Sequence, residues 1–262
     1  MQDNIIVLGA GRMGEGIALS FILAGKEVVL IDFKSRSPEE RLHYYEQARS
    51  RLVTELKYLQ EKRLIQEEQI ASMVKQLRIV DDQQVQMVKG SRLVFEALPE
   101  VSEIKQQGLA WASRHLDKEA VIASTTSTFL VTELACMVSH PARFMNAHWL
   151  NPAHLMPLVE VSRSKDTEQR YVDALFTVLK GIGKVPVLCE AAPGYIIPRL
   201  QVLLMNEAAR MVEEGVASAE DIDVAIRVGL GLRYSVLGVL EFIDWGGGDT
   251  LFYASNYLCD KL

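Results

Sequence analysis

Residues 5–32, IIVLGAGRMGEGIALSFILAGKEVVLID, hold two apolar runs separated by a glycine-rich turn and a helical stretch, an order few folds accommodate. Ile5, Ile6, Val7 and Leu8 form a short apolar run, the mark of a parallel strand buried on both faces. Gly9, Gly11 and Gly14 then fit G-x-G-x-x-G. The first glycine permits the tight turn, the second lets a pyrophosphate approach the backbone, and the third lets a helix pack on the strand. A helix predicted from about Met13 to Leu23 aims unpaired N–H groups and a partial positive charge at that phosphate. Met13, at its start, joins the glycines as a cofactor-contact candidate. A second apolar strand, Val28 to Ile31, ends at Asp32. A carboxylate there, roughly twenty residues past the glycines, accepts hydrogen bonds from an adenosine ribose. Strand, triplet, helix, strand and acid in that order predict a dinucleotide site. Asp32 favours NAD over NADP, because its charge opposes a 2′-phosphate. Lys34 and Arg36 pull the other way, as a basic pair able to accept one.

The chain has 262 residues, 49% hydrophobic and 24% charged, enough for one large or two modest domains with a substantial core. A formal net charge of −6 without a basic cluster argues against a nucleic-acid partner. No apolar run approaches the roughly 20 residues that span a bilayer, so no membrane partner is expected. The first strand begins almost at the N-terminus, which leaves no room for a signal peptide. Cys136, Cys189 and Cys259 are widely spaced and odd in number, the pattern of neither a disulfide framework nor a zinc motif. A reducing cytosol is the expected compartment.

After Asp32 the period changes. Leu42, Tyr45, Ala48, Leu52, Leu56 and Leu59 recur at steps that predict one long amphipathic helix, followed by a short one over about Glu67 to Gln76. This pair is either a helical hairpin packed on the sheet or a flap over a substrate. Strand-like runs return at Leu77–Val80, Leu93–Leu98, Val121–Ser124, Phe144–Trp149, Leu158–Val161 and Val185–Leu188. Helical segments at Glu103–Leu116 and Thr167–Leu179 separate several of them. This alternation predicts an α/β fold of the Rossmann type, a doubly wound, mostly parallel sheet. From Pro193 the strands stop. A helical stretch is expected from Tyr195 to Glu214, Ser218-Ala219-Glu220-Asp221 reads as a capping box, and Gly229, Gly231 and Gly246–Gly248 break the remainder. The expected division is a dinucleotide-binding domain over 1–190, with the hairpin inserted, and an all-helical domain over 191–262.

A second constellation lies between positions 91 and 163. Glu96, Ala97 and Glu100 fall at the carboxyl end of a buried strand, where open α/β sheets bind ligands. Another strand ends in the Ser/Thr run 124–128. His148 and Asn151 stand at a further strand end, with Glu160 inside the strand after it. A glutamate in so apolar a run is costly unless paired, and a histidine is its natural partner. Such a pair fixes the imidazole tautomer and stabilises the protonated ring. His148 and His154 do not have the spacing of a helical metal-ligand pair and no cysteine is near, so no metal is expected.

Together these residues resemble the short-chain L-3-hydroxyacyl-CoA dehydrogenase family, from Ile5 to about Tyr257. In that family the histidine of H-x-x-N-P is the general acid/base, which implies this role for His148 in His148-Trp149-Leu150-Asn151-Pro152. The partner glutamate matches Glu160, and the serine of N-T-S-S that orients substrate points to Ser127. The resemblance also implies cofactor contacts at Gly9, Gly11, Gly14, Asp32, Ala97, Glu100 and Lys105. Family members dimerise through the helical domain, whose Leu200, Val202, Leu203, Leu204, Val239, Leu240 and Phe242 exceed what so small a unit buries alone. A homodimer is expected. Three departures bear on the substrate. The family's P-G-F-[IV]-x-N-R reads Pro193-Gly194-Tyr195-Ile196-Ile197-Pro198-Arg199 here, with proline where an asparagine reaches the substrate carbonyl. Glu55 is an acid where a small or basic residue is usual, while Lys62 and Arg63 remain able to meet a phosphate. Trp149 replaces a phenylalanine. The implied activity is NAD-dependent oxidation of a 3-hydroxyacyl thioester. The alternatives are a free 3-hydroxy acid of gulonate or carnitine type, and a catalytically idle NAD-binding protein.

Overall fold

Ile5–Leu8 form β1, and their side chains divide between the two faces of a sheet: Ile5 and Val7 enter one apolar cluster, Ile6 and Leu8 the other. The computed structural model describes residues 4–259 and 261. Strands β2 (Val28–Asp32), β3 (Leu77–Asp81), β4 (Leu93–Glu96), β5 (Val121–Ser124), β6 (Phe144–Trp149), β7 (Leu158–Arg163) and β8 (Val185–Glu190) complete one sheet in the order β3-β2-β1-β4-β5-β6-β7-β8. The strands from β3 to β6 in that order pair in parallel. Then β7 runs antiparallel to β6, and β8 follows parallel to β7. The doubly wound arrangement read from the sequence is the one observed.

Helices cover both faces. On one side α1 (Arg12–Leu23), α2 (Pro38–Glu61), α3 (Glu67–Lys75) and, further on, residues of the helix over Gln169–Gly181 pack against the first cluster. On the other lie α4 (Ser102–His115) and α5 (Val131–Ala135); the Gln169–Gly181 helix is α6. The inserted pair is a hairpin packed on the sheet, since Ala48, Leu52 and Leu56 of α2 and Met73 of α3 sit in the core. Leu42 corrects the expected apolar face, being 63% exposed. The helix also begins earlier than its apolar period predicts. Ser37 and Glu40 form a reciprocal capping box with Pro38 at the first helical position.

The chain divides into two compact units, Met1–Arg199 and Leu200–Leu262. The second is helical: most of α7 (Ile197–Glu213), then α8 (Ala219–Ala225), α9 (Leu232–Tyr234), α10 (Val239–Gly246) and α11 (Gly248–Leu258). Of the expected capping box, half forms: Ser218 accepts from the Asp221 N–H at 3.1 Å, while its hydroxyl, and not its N–H, meets the Asp221 carboxylate at 2.6 Å. Two expectations are corrected. The expected helix does not start at Tyr195, which has φ +47, but at Ile197. Gly229 and Gly231 do not break the chain's helical course but lie in a π-helical stretch over Ile226–Gly231, where the ladder widens.

The glycine turn is built by close approach. Gly9 has φ +114, and a Cβ there would lie 2.5 Å from the Ala97 carbonyl oxygen. A Cβ on Gly14 would lie 1.9 Å from the Gly9 carbonyl oxygen, whereas one on Gly11 would meet nothing within 4 Å. Two glycines thus close the turn and the third leaves its backbone open. Gly14→Ala is expected to destabilise the protein by roughly 1–3 kcal/mol through overpacking against backbone. It is also expected to abolish NADH binding; denaturant unfolding and NADH fluorescence titration measure the two effects.

Candidate active site

His148 and Glu160 are directly opposed across the antiparallel pair of β6 and β7, so their side chains leave the sheet on the same face. His148 Nδ1 lies 2.9 Å from Glu160 Oε2. An ionised carboxylate only accepts, so Nδ1 carries the hydrogen and Nε2 is left with the lone pair. Glu160 has no exposed surface. Its other oxygen, Oε1, accepts from the backbone N–H groups of Ile196 at 2.9 Å and Ile197 at 2.8 Å. Burial pushes the carboxyl up, but the His148 hydrogen bond and the two backbone donors outweigh it and hold the group below the usual carboxylate range.

Proline at 198 does not disturb that grip. It is the second residue of α7, where an N–H has no intrahelical partner to lose.

A second network lies at the carboxyl ends of β4 and β5. Glu96, fully buried, accepts from the Leu98 N–H at 2.8 Å, from Lys105 Nζ at 3.1 and 3.3 Å, and from the Ser124 hydroxyl. Burial pushes the Glu96 carboxyl up against the pull of Lys105 and these donors. Lys105 also reaches Glu100 at 3.0 Å and the Leu98 carbonyl at 3.4 Å. At 1% exposure its ammonium is enclosed, and it ties Glu96 to Glu100. Glu100 is half-exposed and accepts from the Thr126 hydroxyl at 2.9 Å and the Ser127 N–H at 2.6 Å. Burial raises the Glu100 carboxyl less than Lys105 and these donors lower it. Ser127 is exposed, on a turn that the Thr126 hydroxyl also caps by accepting from the N–H groups of Thr128 and Phe129.

The remaining candidates sit around the glycine turn and the loop after β6. Asp32 ends β2 with its carboxylate accepting from Arg36 Nε at 2.6 Å and the Lys34 N–H at 3.3 Å. The Arg36 guanidinium also lies 3.9 Å over the Tyr44 ring, and the Tyr44 hydroxyl donates to the Ala10 carbonyl. The basic pair that opposed Asp32 in the sequence reading is therefore partly spent on it. Met13 is half-buried against the core, and the Ala97 N–H donates to the Leu8 carbonyl at 2.8 Å. Asn151 is exposed and lines a cavity of about 610 Å³ together with Arg12, Glu15, Arg51, Glu55 and His154. Arg51 grips Glu15 with two hydrogen bonds of 2.9 and 2.6 Å. His154 Nε2 stands 3.1 Å from Glu55 Oε1 without the alignment of a hydrogen bond. Burial pushes its imidazole below the usual range despite that acid. The structure thus joins His148 with Glu160, and Glu100 with the Ser127 turn, while Asn151 belongs to the cavity wall. Sequence reasoning missed Tyr195, which stacks on His148, and the two backbone donors on Glu160. The aromatic directly after Gly194 was the available signal for Tyr195. Among the described residues no group of three His, Cys, Asp or Glu side chains could hold a metal.

The open backbone at Gly11, the start of α1 behind it, and the acid ending β2 fit a dinucleotide. Fold and site define an NAD-dependent oxidoreductase acting on CH–OH groups. The chain belongs to the 3-hydroxyacyl-CoA dehydrogenase family. Its family model for the NAD-binding domain matches residues 4–192, and that for the C-terminal domain matches residues 194–262. The chain is 30% identical over 259 residues to a 5-formyl-3-hydroxy-2-methylpyridine 4-carboxylate 5-dehydrogenase of Mesorhizobium japonicum, covering 98% of this chain and 80% of that protein. It is 32% identical over 250 residues to the mitochondrial hydroxyacyl-coenzyme A dehydrogenase of Sus scrofa, covering 95% of this chain and 78% of the other. A crystal structure of a 5-dehydrogenase of that same pyridine carboxylic acid, described as an NAD+-dependent dismutase, superposes with a TM-score of 0.84 at 29% identity. That match covers 100% of this chain and 82% of the other.

The lowered Glu160 carboxyl has a consequence for stability. A depressed folded-state pKa contributes stability above the unfolded-state value, about 4.3, and that stability is lost as pH falls through the folded value. The stability gap between wild type and Glu160→Gln is therefore expected to be widest near neutrality and to close on acidification below about pH 4. Urea unfolding at a series of pH values measures it.

Proposed function

We propose that this protein transfers a hydride between NAD and the 3-hydroxy/3-oxo carbon of an acyl thioester, carried on CoA or a carrier protein. The observation that carries this reading is the buried His148–Glu160 pair, with its proton pinned on Nδ1. NAD, when bound, supplies the hydride acceptor for oxidation or its donor for reduction. In oxidation His148 Nε2 takes the hydroxyl proton, and in reduction the imidazolium returns it to the forming alkoxide. Glu160, 2.9 Å from Nδ1, stabilises the charged ring and fixes its orientation. Ser127 and Asn151 orient the substrate oxygen in this reading.

A free hydroxy acid of gulonate or carnitine type is the second reading, and Glu55 on the cavity wall favours it, since an acid there opposes a nucleotide phosphate. The Mesorhizobium relative, named for a pyridine carboxylate, supports a substrate without CoA. Loss of the family asparagine at Pro198 points the same way. The helical unit carries the remaining part of the proposal, a homodimer. Ile222 is its one residue described as buried, while Leu240 and Trp245 are 76% and 77% exposed and Phe252 and Tyr253 are also open.

His148→Ala is expected to lower kcat by roughly 10²–10⁴ and leave NADH affinity unchanged; a near-normal rate rejects the acid–base role. NADH absorbance is expected to report turnover with acetoacetyl-CoA, and turnover with gulonate or carnitine alone transfers the assignment to the free acid. Sedimentation at micromolar concentration is expected to give a dimer, and a monomer removes that part of the proposal.

A further inference from the structure

Tyr195 is held by contacts that the hydride-transfer reading leaves without a purpose. Its ring centroid lies 5.1 Å from that of the His148 imidazole, with the planes 14° apart. Its hydroxyl accepts from Asn146 Nδ2 at 2.9 Å and donates to the Thr126 carbonyl at 2.9 Å. Asn146 Nδ2 also donates to the Phe129 carbonyl at 3.0 Å. The carbonyls of residues 126 and 129 bracket Ser127, so the two side chains pin the turn that carries it. Tyr195, Asn146 and Thr126 are buried, where an unmade hydrogen bond is costly.

The backbone underlines the placement. Tyr195 adopts φ +47 directly after Gly194 at φ +75, a left-handed conformation that bulky residues avoid. The next two residues turn their N–H groups onto Glu160. The segment 195–197 thus meets His148 through a ring, Glu160 through backbone and the Ser127 turn through a hydroxyl. Proton transfer by the phenol is excluded by the same contacts. Its hydrogen is committed to the Thr126 carbonyl, and burial pushes the group well above the usual tyrosine range.

We infer that Tyr195 is a positioning residue for the reaction, its ring setting the plane of the His148 imidazole and its hydroxyl locking the Ser127 turn beside it. The inference rests on His148 as the acid–base group and Ser127 as a substrate contact. The P-G-F pattern of the family supplies the ring alone. The hydroxyl is what tyrosine adds to that ring, and Asn146 is its partner.

The test is a double-mutant cycle on the full-length protein, with kcat, substrate KM and NADH Kd measured for Tyr195→Phe, Ser127→Ala and the pair. Tyr195→Phe is expected to lower kcat roughly tenfold with NADH Kd unchanged, and to add no further loss once Ser127 is alanine. Tyr195→Leu, which also removes the ring, is expected to shift the imidazole limb of the kcat/KM pH profile, whereas Tyr195→Phe leaves that limb in place. Should Tyr195→Phe fold poorly, Asn146→Ala cuts the same link from its other side and carries the same expectation. A wild-type rate for Tyr195→Phe, or losses that multiply in the pair, overturns the inference. Normal turnover by His148→Ala and Ser127→Ala overturns instead the acid–base reading beneath it.

Discussion

A carboxylate with no access to water is the fixed point of this molecule. Glu160 lies in the middle of a strand whose neighbours are apolar, and leaving it unpaired there would cost several kcal/mol. The structure answers with three donors on two oxygens: an imidazole on one and two successive backbone N–H groups on the other. The donors come from two different constraints. The imidazole is delivered by strand register, and the backbone pair by the turn that opens α7. Tautomer and ring orientation at His148 both follow from meeting that demand.

The reversal of strand direction at β7 is what makes the pairing available. In a parallel ladder, two residues twelve apart in sequence on adjacent strands would have to be joined by a crossover. Here the connection occupies residues 150–157 only, between Trp149 and Leu158, too short for one. The same short loop presents Asn151 and His154 to the cavity on the α1–α2 side of the sheet. One local choice of topology therefore supplies both the dyad and part of a binding wall.

Much of this was legible in the residues. The glycine spacing, the two flanking strands and Asp32 identified the nucleotide turn, because Gly9 and Gly14 each answer to a close backbone approach and Gly11 leaves its backbone open. The partnership of His148 and Glu160 was legible as well, from the price of a lone acid in an apolar run. The antiparallel strand is open to the same reading, through the eight residues between Trp149 and Leu158. The start of α2 is marked not by apolar period but by Ser37-Pro38-Glu39-Glu40, which spells a capping box. Lys105 was out of reach of such reasoning. That its ammonium closes on both Glu96 and Glu100 depends on packing across β4, β5 and α4, which no local pattern encodes. Tyr195 was likewise hidden, since a left-handed aromatic looks in one dimension like the first residue of a helix.

The way Glu160 is held also decides which parts of this chain are open to evolutionary drift. Main-chain amides are supplied by every residue except proline, so the grip on Glu160 does not depend on which side chains stand at 196 and 197. Position 198 stands just outside the grip, where even an imino acid is harmless. What the side chains at 196–198 present to their surroundings is therefore uncoupled from the hydrogen bonds that hold Glu160.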